Sequence, residues 1–542
     1  MKLVIGLDIG TSGIRAQAIE TETKQTLSTS ITLRHPLPGS NVMDHLDFCI
    51  NNGLEVGHKI VIRAVEEVLR SLDIDLNSTE RVAVCGNPIQ LSIFQGIEIR
   101  DLAYAGDNAL QRLGISRLDR RAKISLAGEL GISVLKSDVE VCIPPAVAHM
   151  IGADAIAMIY EARILDKREC AIVTDYGTNA EMALISGDEI YTGSAAAGPA
   201  IEGQQIEKGM LASPGAISDL NFVDGQFRIT VLDDLMIGNE SYFTDGIKGM
   251  VTKLRTFVPP IGITGTGVIA LVYSGIISGL IKLPRIDTPT RTIKLYRDKI
   301  YFTEKDLQEC GKAFGAFRAG HLTLLKHLGI SMDQVKTAYM AGAGGTYVDP
   351  IKAQGVGLVP PKVEKIFQIG NTSLAFACDI ARDTTLLEKA EEIAERLKKT
   401  HVMFAIEEDF KNAYIVELGR WQGMPESMYK KFISLYKLPE IPDEKTVPII
   451  NRIAFRDIPI LGTKGLHIVR RLGVKITAEF EGCTGCLSCE KACLEGALKV
   501  RKVNGSFKME ISSDICDGVA CRKCENACPR KVYDYSKFVV ES

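Results

Sequence analysis

The chain has 542 residues, 46% of them apolar and 24% charged, which excludes wholesale disorder and leads one to expect two to four domains. Its 64 basic and 67 acidic side chains give a formal charge of −3, so no basic field is available for nucleic acid. No apolar run reaches the ~20 residues of a membrane span, and Gly267 to Ile281, the longest apolar-leaning stretch, is broken by glycine and serine. The N-terminal run MKLVIGLDIG is short and interrupted by Asp8, unlike a signal peptide, and a cytoplasmic location is expected.

In chain order, Lys2 to Ile9 has the apolar, β-branched character of a buried strand, with Gly10 to Gly13 as its turn. Ile14 to Ile19 and Thr26 to Leu33 alternate as half-buried strands do. Val56, Ile60, Val61, Ala64, Val65, Val68, Leu69 and Leu72 recur at helical spacing between Gly53 and Leu72. A short strand, Arg81 to Cys85, closes at Gly86-Asn87-Pro88, and the alternation predicts an α/β domain. Leu7-Asp8-Ile9-Gly10-Thr11-Ser12 then returns as Thr174-Asp175-Tyr176-Gly177-Thr178-Asn179, again between an apolar strand and an alternating one. Two copies of D-x-G-T-[S/N] in matching contexts predict two similar lobes.

A glycine-rich stretch follows from Gly193 to Gly215, and then a helix is expected over Glu304 to Leu328, opened by Thr303 with Asp306 three residues on. Thr337 to Ala341 should form a strand ending at the turn Gly342-Ala343-Gly344-Gly345. A charged amphipathic helix, Leu386 to Lys399, is placed near the end of the second lobe. Pro425, Pro439, Pro442, Pro448 and Pro459 break the pattern, pointing to a linker or small irregular subdomain.

Of 14 cysteines, eight fall between Cys483 and Cys528. Cys483, Cys486, Cys489 and Cys493 form C-x2-C-x2-C-x3-C; Cys516, Cys521, Cys524 and Cys528 form C-x4-C-x2-C-x3-C before Pro529. Zinc sites favour paired C-x2-C or Cys/His sets around one ion, and two four-thiolate combs suit [4Fe-4S] clusters better. In two-cluster ferredoxins the fourth cysteine of each comb serves the other cluster. On that crossing, one cluster takes Cys483, Cys486, Cys489 and Cys528, and the other Cys516, Cys521, Cys524 and Cys493. Cys49, Cys85, Cys142, Cys170, Cys310 and Cys378 are expected to be packing residues.

In a D-x-G-T-[S/N] turn, glycine lets backbone N–H groups approach phosphate oxygens and the hydroxyls add donors. An Asp at the strand end can hold Mg²⁺ or the attacking water. Two such turns would clamp a nucleotide between lobes; no Walker P-loop is present.

The turns at Asp8 and Asp175, with the later glycine turn, resemble the ATPase superfamily of acetate kinase, Hsp70, actin and sugar kinases. Within it, DYGTNAEMAL, SAAAGPAIEG and GMLASPGAI are similar to the reductive activators of corrinoid proteins. The C-terminal pair of combs resembles the arrangement in methanogen activators that serve methylamine methyltransferase systems. The resemblance implies a two-lobed actin/Hsp70-like, ribonuclease H-like α/β core with a C-terminal α+β ferredoxin-like domain. Its domains would be residues 1–165 and 166–425 as ATPase lobes, 426–472 as linker and 473–542 as the two-cluster domain. It implies that Asp8, Gly10, Thr11 and Ser12 form the first phosphate turn, and Asp175, Gly177, Thr178 and Asn179 the second. Gly342, Gly344 and Gly345 would border adenosine. The implied activity is ATP-dependent reduction of corrinoid Co(II) to Co(I), with two [4Fe-4S] clusters, ATP and Mg²⁺. Implied partners are methylamine-system corrinoid proteins and a low-potential electron donor, with room for a homodimer and no role for nucleic acid or membrane. The alternatives are an activator of a radical dehydratase, a nucleotide-binding redox sensor, and a sugar kinase fused to a ferredoxin.

Overall fold

Strand β1 (Leu3–Gly10) is buried from Leu3 to Ile9, as a central strand covered on both faces must be. It pairs antiparallel with β2 (Gly13–Glu20), and β2 with β3 (Thr26–Thr32). The other edge of β1 takes β4 (Thr79–Gly86) in parallel. The sheet continues through β5 (Lys123–Leu126) and β6 (Glu140–Ile143), with β6 beside β4. The computed structural model describes residues 2–39, 41–103, 107–148, 151–177, 179–195, 205–234, 236–253, 259–493, 495–503 and 505–540.

The chain divides into two compact units. The first holds Met1–Ala157, Ser373–Lys398 and Ile460–Ser542; the second holds Met158–Thr372 and Lys399–Pro459. In the first unit, helices α1 (Val42–Asn52), α2 (Leu54–Ser71) and α3 (Pro88–Gln95) accompany the sheet. The expected stripe of α2 is buried at Ile60, Val61, Ala64, Val65, Val68 and Leu69. The helix Thr372–Arg382 packs on β1 so closely that a Cβ at Gly6 would lie 2.7 Å from the Cys378 amide nitrogen. The helix Leu386–Lys398 follows and groups with this unit, although sequence order suggests the second lobe.

The second unit repeats the pattern. Strands β7 (Ala171–Asp175), β8 (Ala180–Ser186) and β9 (Glu189–Ala195) are successively antiparallel. The free edge of β7 pairs in parallel with Thr337–Ala341, which pairs with Lys365–Gly370. The order β9-β8-β7 plus two parallel strands matches β3-β2-β1-β4-β6, so the repeated Asp-x-Gly-Thr motif marks a repeated topology. A five-stranded sheet between Ala216 and Ile263 is added to this unit. The helix Glu304–Leu328 forms as expected, with the Thr303 hydroxyl accepting from the Asp306 amide at 3.1 Å and the Asp306 carboxylate accepting from the Thr303 amide at 2.9 Å.

Within 426–472, Glu426–Leu435 is helical, Ile449–Arg452 extends the second unit's sheet, and Leu466–Val469 pairs in parallel with β3. The C-terminal module is α+β. Its antiparallel sheet runs Leu498–Val503, Ser506–Ser512, Lys475–Glu479, Val539–Val540. Among the described residues no helix is long and apolar enough to cross a membrane.

Candidate functional site

The β1–β2 reversal puts Thr11 and Ser12 at the tip between Gly10 and Gly13. Asp8 is only 3% exposed and pairs with Arg15 at 3.3 Å. Arg15 also donates to the Gly13 carbonyl at 3.3 Å and the Ser12 hydroxyl at 3.4 Å, tying the turn to its own strand. The Thr11 hydroxyl accepts from Asn87 Nδ2 at 3.2 Å, and Asn87 caps α3 by accepting from the Gln90 amide at 2.9 Å. A second carboxylate, Asp154, opens the helix Ala153–Glu161 and accepts from Gly152 and Ala155 amides at 3.2 and 2.8 Å. Burial pushes it up to about 6 against those N–H groups, and the charge of Asp8 adds to the rise. Two carboxylates that feel each other offer the hard oxygen donors that Mg²⁺ takes. Sequence reasoning missed Asp154 because an Asp in a first helical turn is ordinary; its signal was a lone charge in the apolar run GADAIAM.

In the second unit Asp175 ends β7, and the Tyr176 amide donates to the Ala341 carbonyl at 3.1 Å. The two glycine-bearing turns therefore meet. Gly342 has φ +75°, and a Cβ there would lie 2.3 Å from Asp175 Oδ1. At Gly344 a Cβ would come within 2.2 Å of the Tyr176 carbonyl oxygen, and at Gly345 within 2.9 Å of the Met340 carbonyl carbon. A Cβ at Gly177 would sit 3.3 Å from Asp175 Oδ1 and 3.6 Å from the Asn179 carbonyl. Thr178 and residues 196–204 lie outside the described residues. Gln368, also missed, donates to the carbonyls of Gly345, Thr346 and Val348 at 2.8, 2.9 and 3.1 Å, fixing the turn from the neighbouring strand. Its signal was a polar residue inside KIFQIG. Gly265 and Gly267, by contrast, open a helix capped by Thr264, and Gly267 is pressed on the Ile217 carbonyl, a packing duty.

In the cysteine module, Cys483, Cys486, Cys489 and Cys528 line one cavity with Phe480 and Tyr533. Cys493, Cys516 and Cys521 each interact electrostatically with Cys524, and Cys489 adjoins Cys524. The structure thus brings Cys528, the last thiol of the second comb, to the first three of the first comb, and Cys493, the last of the first comb, within electrostatic reach of Cys524 in the second. Leu487 (φ +62°) and Arg522 (φ +44°) occupy matching places, one residue after the second cysteine of each comb, in the left-handed region. Such a conformation costs about 1–2 kcal/mol in a non-glycine residue; here it re-aims the third cysteine at the start of a short helix. Against burial, which raises it, amides of Tyr533, Val532, Arg530 and Lys531 together hold the Cys528 thiol below its usual range. That N–H cradle favours thiolate and suits an anionic cluster. The hydroxyl and amide of Ser488 likewise lower exposed Cys486.

The second comb packs on the ATPase-like part of its own unit. The Cys516 carbonyl accepts from the Gly39 amide at 2.9 Å, and Ser513 donates to the Pro36 carbonyl at 2.6 Å. Arg34 donates to the Ile515 carbonyl at 3.1 Å and pairs with Asp517 and Glu495 at 3.4 and 2.8 Å. The scattered cysteines form no disulfide with one another and, except for half-buried Cys170, are buried. Burial pushes Cys49 up to about 12, Cys142 and Cys170 up to about 11, and Cys85 and Cys310 well above the usual thiol range. Burial thus disfavours the nucleophilic thiolate at these five positions.

Repeated sheets with paired Asp-x-Gly turns, joined to a double cysteine comb, define an ASKHA-type (actin/Hsp70-like) α/β core carrying a 4Fe-4S dicluster module. Residues 3–167 match the RACo middle region, 169–430 the C-terminal domain of RACo (the ASKHA domain), and 482–532 the 4Fe-4S dicluster domain. The chain belongs to the RACo family. It is 45% identical over 518 residues, 95% of each chain, to the "[Co(II) methylated amine-specific corrinoid protein] reductase" of Methanosarcina barkeri. It is 24% identical to the "Corrinoid activation enzyme RamQ" of Eubacterium limosum, covering 76% of this chain and 69% of that one. Its fold is similar to a solved "Reductive activator for corrinoid,iron-sulfur protein", with a TM-score of 0.62 at 22% identity over 77% of this chain and 66% of that one.

Proposed function

We propose that this protein reduces corrinoid proteins at the expense of ATP, returning inactive Co(II) to the Co(I) that methyl transfer from methylamines requires in methanogenesis. The observation that carries this reading is the 45% identity to a corrinoid protein reductase over 95% of the chain, a span that takes in both the ATPase core and the cysteine module. Residues 1–165 and 166–425 act as the ATPase lobes and 473–542 as the electron module, with 426–472 between them.

Asp8, Gly10, Thr11 and Ser12 take phosphate on one turn, and Asp175, Gly177, Thr178 and Asn179 on the other. Gly342, Gly344 and Gly345 border the adenosine. Asp8 with Asp154 holds Mg²⁺, and Asp175 positions the attacking water, as phosphoryl transfer needs. Cys483, Cys486, Cys489 and Cys528 hold one [4Fe-4S] cluster, and Cys493, Cys516, Cys521 and Cys524 the other. Clusters so held supply single electrons at low potential. Reduction of Co(II) to Co(I) would take one electron from the module, driven by hydrolysis of ATP with water to ADP and phosphate. A low-potential donor restores the electron. The protein acts in the cytoplasm, and a homodimer is compatible with the scheme.

The test is anaerobic. Iron-reconstituted protein, a chemical reductant, Mg-ATP and a Co(II) methylamine corrinoid protein are mixed and the Co(I) absorption band is followed. The band is expected with ATP; its absence across several corrinoid partners would overturn the reading.

A further inference from the structure

A single loop in the first unit touches both the phosphate turn's support and the second comb. Its residues Arg34, Pro36 and Gly39 bond the Ser513–Asp517 loop that carries Cys516. A Cβ at Gly518 would lie 2.7 Å from Gly39 Cα and 3.2 Å from Asp44 Oδ2, so the two backbones are in direct contact. His35 and His45 are buried and stacked with ring centroids 4.1 Å apart. His45 Nδ1 and the Gln90 side-chain amide lie 2.6 Å apart, and Gln90 is fully buried on α3. The cap of α3 is Asn87, whose amide reaches Thr11. A continuous path of polar contacts and stacking therefore runs Thr11–Asn87–Gln90–His45–His35, then through the loop backbone to Cys516.

Two features make this path more than packing. Thr11 Oγ1 already accepts from Asn87, so its O–H is left to donate outward. A phosphate accepting that proton and the Asn87 amide would share one oxygen, and such chained bonds strengthen one another. The buried junction also holds more polar atoms than bonds. Among the described residues Gln90 Oε1, His35 Nε2 and His45 Nε2 have no partner in full hydrogen-bond geometry, although the Gln90 side chain lies against His35 and the Gly39 backbone against His45 closely enough to favour the protonated imidazoles. A buried network with spare donors and acceptors can re-pair by a small rotation of one amide or ring, which is what a two-state element requires. Burial brings His45 down to about 3, so it stays neutral at physiological pH and acts through hydrogen bonding, not charge.

We propose that Gln90 and His45 are positioning residues that couple nucleotide at the Gly10–Gly13 turn to the cluster held by Cys516, Cys521 and Cys524. This rests on the proposed function, in which that turn binds ATP and the combs hold clusters. Among the described residues the Cys483–Cys489 part of the first comb, whose Cys486 and Leu487 are exposed, has no hydrogen bond to this loop, and the cluster it holds should not respond.

The experiment uses the full-length reconstituted protein, reduced anaerobically. Electron paramagnetic resonance spectra and redox titrations are recorded with and without a non-hydrolysable Mg-ATP analogue, and nucleotide affinity is measured separately by calorimetry. In the wild type the analogue should alter one cluster signal, the one that Cys521→Ala removes. Gln90→Leu should bind the analogue within about threefold of wild type, since Gln90 lies outside the phosphate turn, yet lose the nucleotide-induced change. Arg34→Met removes the loop's side-chain hold on Ile515 and Asp517 from its partly exposed end and should diminish the change. Gln95→Leu, whose amide donates to the Leu91 carbonyl in its own helix, should keep it. A wild type that binds the analogue with both signals unmoved would overturn the inference and leave the proposed function standing. So would a change in the other cluster, or one retained in both Gln90→Leu and Arg34→Met. Failure of the wild type to bind nucleotide or assemble clusters would overturn the proposed function itself.

Discussion

Gly342→Ala separates the chemistry of the second turn from its backbone strain. Gly342 and Gly279 share φ +75°, but a Cβ at Gly279 meets nothing within 4 Å, whereas at Gly342 it would lie 2.3 Å from Asp175 Oδ1. Alanine at either position carries the left-handed backbone cost, about 1–2 kcal/mol. At Gly342 overpacking adds about 1–3 kcal/mol. To regain the 3.4 Å of ordinary contact the Asp175 oxygen must retreat by about 1.1 Å. A displacement of that size costs about 100-fold in a positioned reaction. Steady-state ATP hydrolysis with the corrinoid partner should therefore fall about 100-fold in Gly342→Ala and stay near wild type in Gly279→Ala. Denaturant midpoints should drop in both, further in Gly342→Ala. Equal hydrolysis in the two variants would refute the claim that this turn sets the position of Asp175.

Asp154→Asn should lower ATP hydrolysis yet stabilise the apo protein at pH 7.5. The folded structure holds Asp154 up at about 6, above its unfolded value, so the ionised form is disfavoured in the fold. The advantage over wild type should shrink as pH falls from about 6 and vanish below about 4, where the group is protonated in both folded and unfolded chains; thermal melts across that window check it. Cys528→Ala should abolish the same paramagnetic signal as Cys483→Ala, and Cys493→Ala the same signal as Cys516→Ala, with iron falling from about eight to about four per chain in each. Gly6→Ala should destabilise by about 1–3 kcal/mol, because its Cβ meets Cys378 backbone atoms at 2.7 and 2.9 Å, read from denaturant midpoints with cluster spectra as a fold control.

Local pattern carried much of this architecture. Strand β1, the α2 stripe and the Thr303 capping box follow from spacing within a few residues, and the Asp8 and Asp175 motifs announced two sheets of one topology. The cysteine combs were readable because thiol spacing is nearly sufficient for cluster chemistry. What stayed hidden depends on distant contacts. Nothing near Leu386 says that its helix returns to the first unit, since the Gly6–Cys378 approach joins residues far apart in the chain. The proline-rich stretch yields strands that complete two different sheets, because edge pairing is decided by the sheet that receives it. Asp154 and Gln368 gain meaning only from Asp8 and from the Gly345–Val348 carbonyls beside them.

The central claim is that ATP drives an electron from the cysteine module to cobalt. Its most direct test is a single turnover. The reconstituted protein is reduced, freed of reductant and mixed anaerobically with a Co(II) methylamine corrinoid protein. Co(I) absorption should rise in step with loss of the reduced-cluster signal, with Mg-ATP and not without it. Co(I) forming at the same rate and yield without nucleotide, or cluster oxidation with ATP but no Co(I), would contradict it.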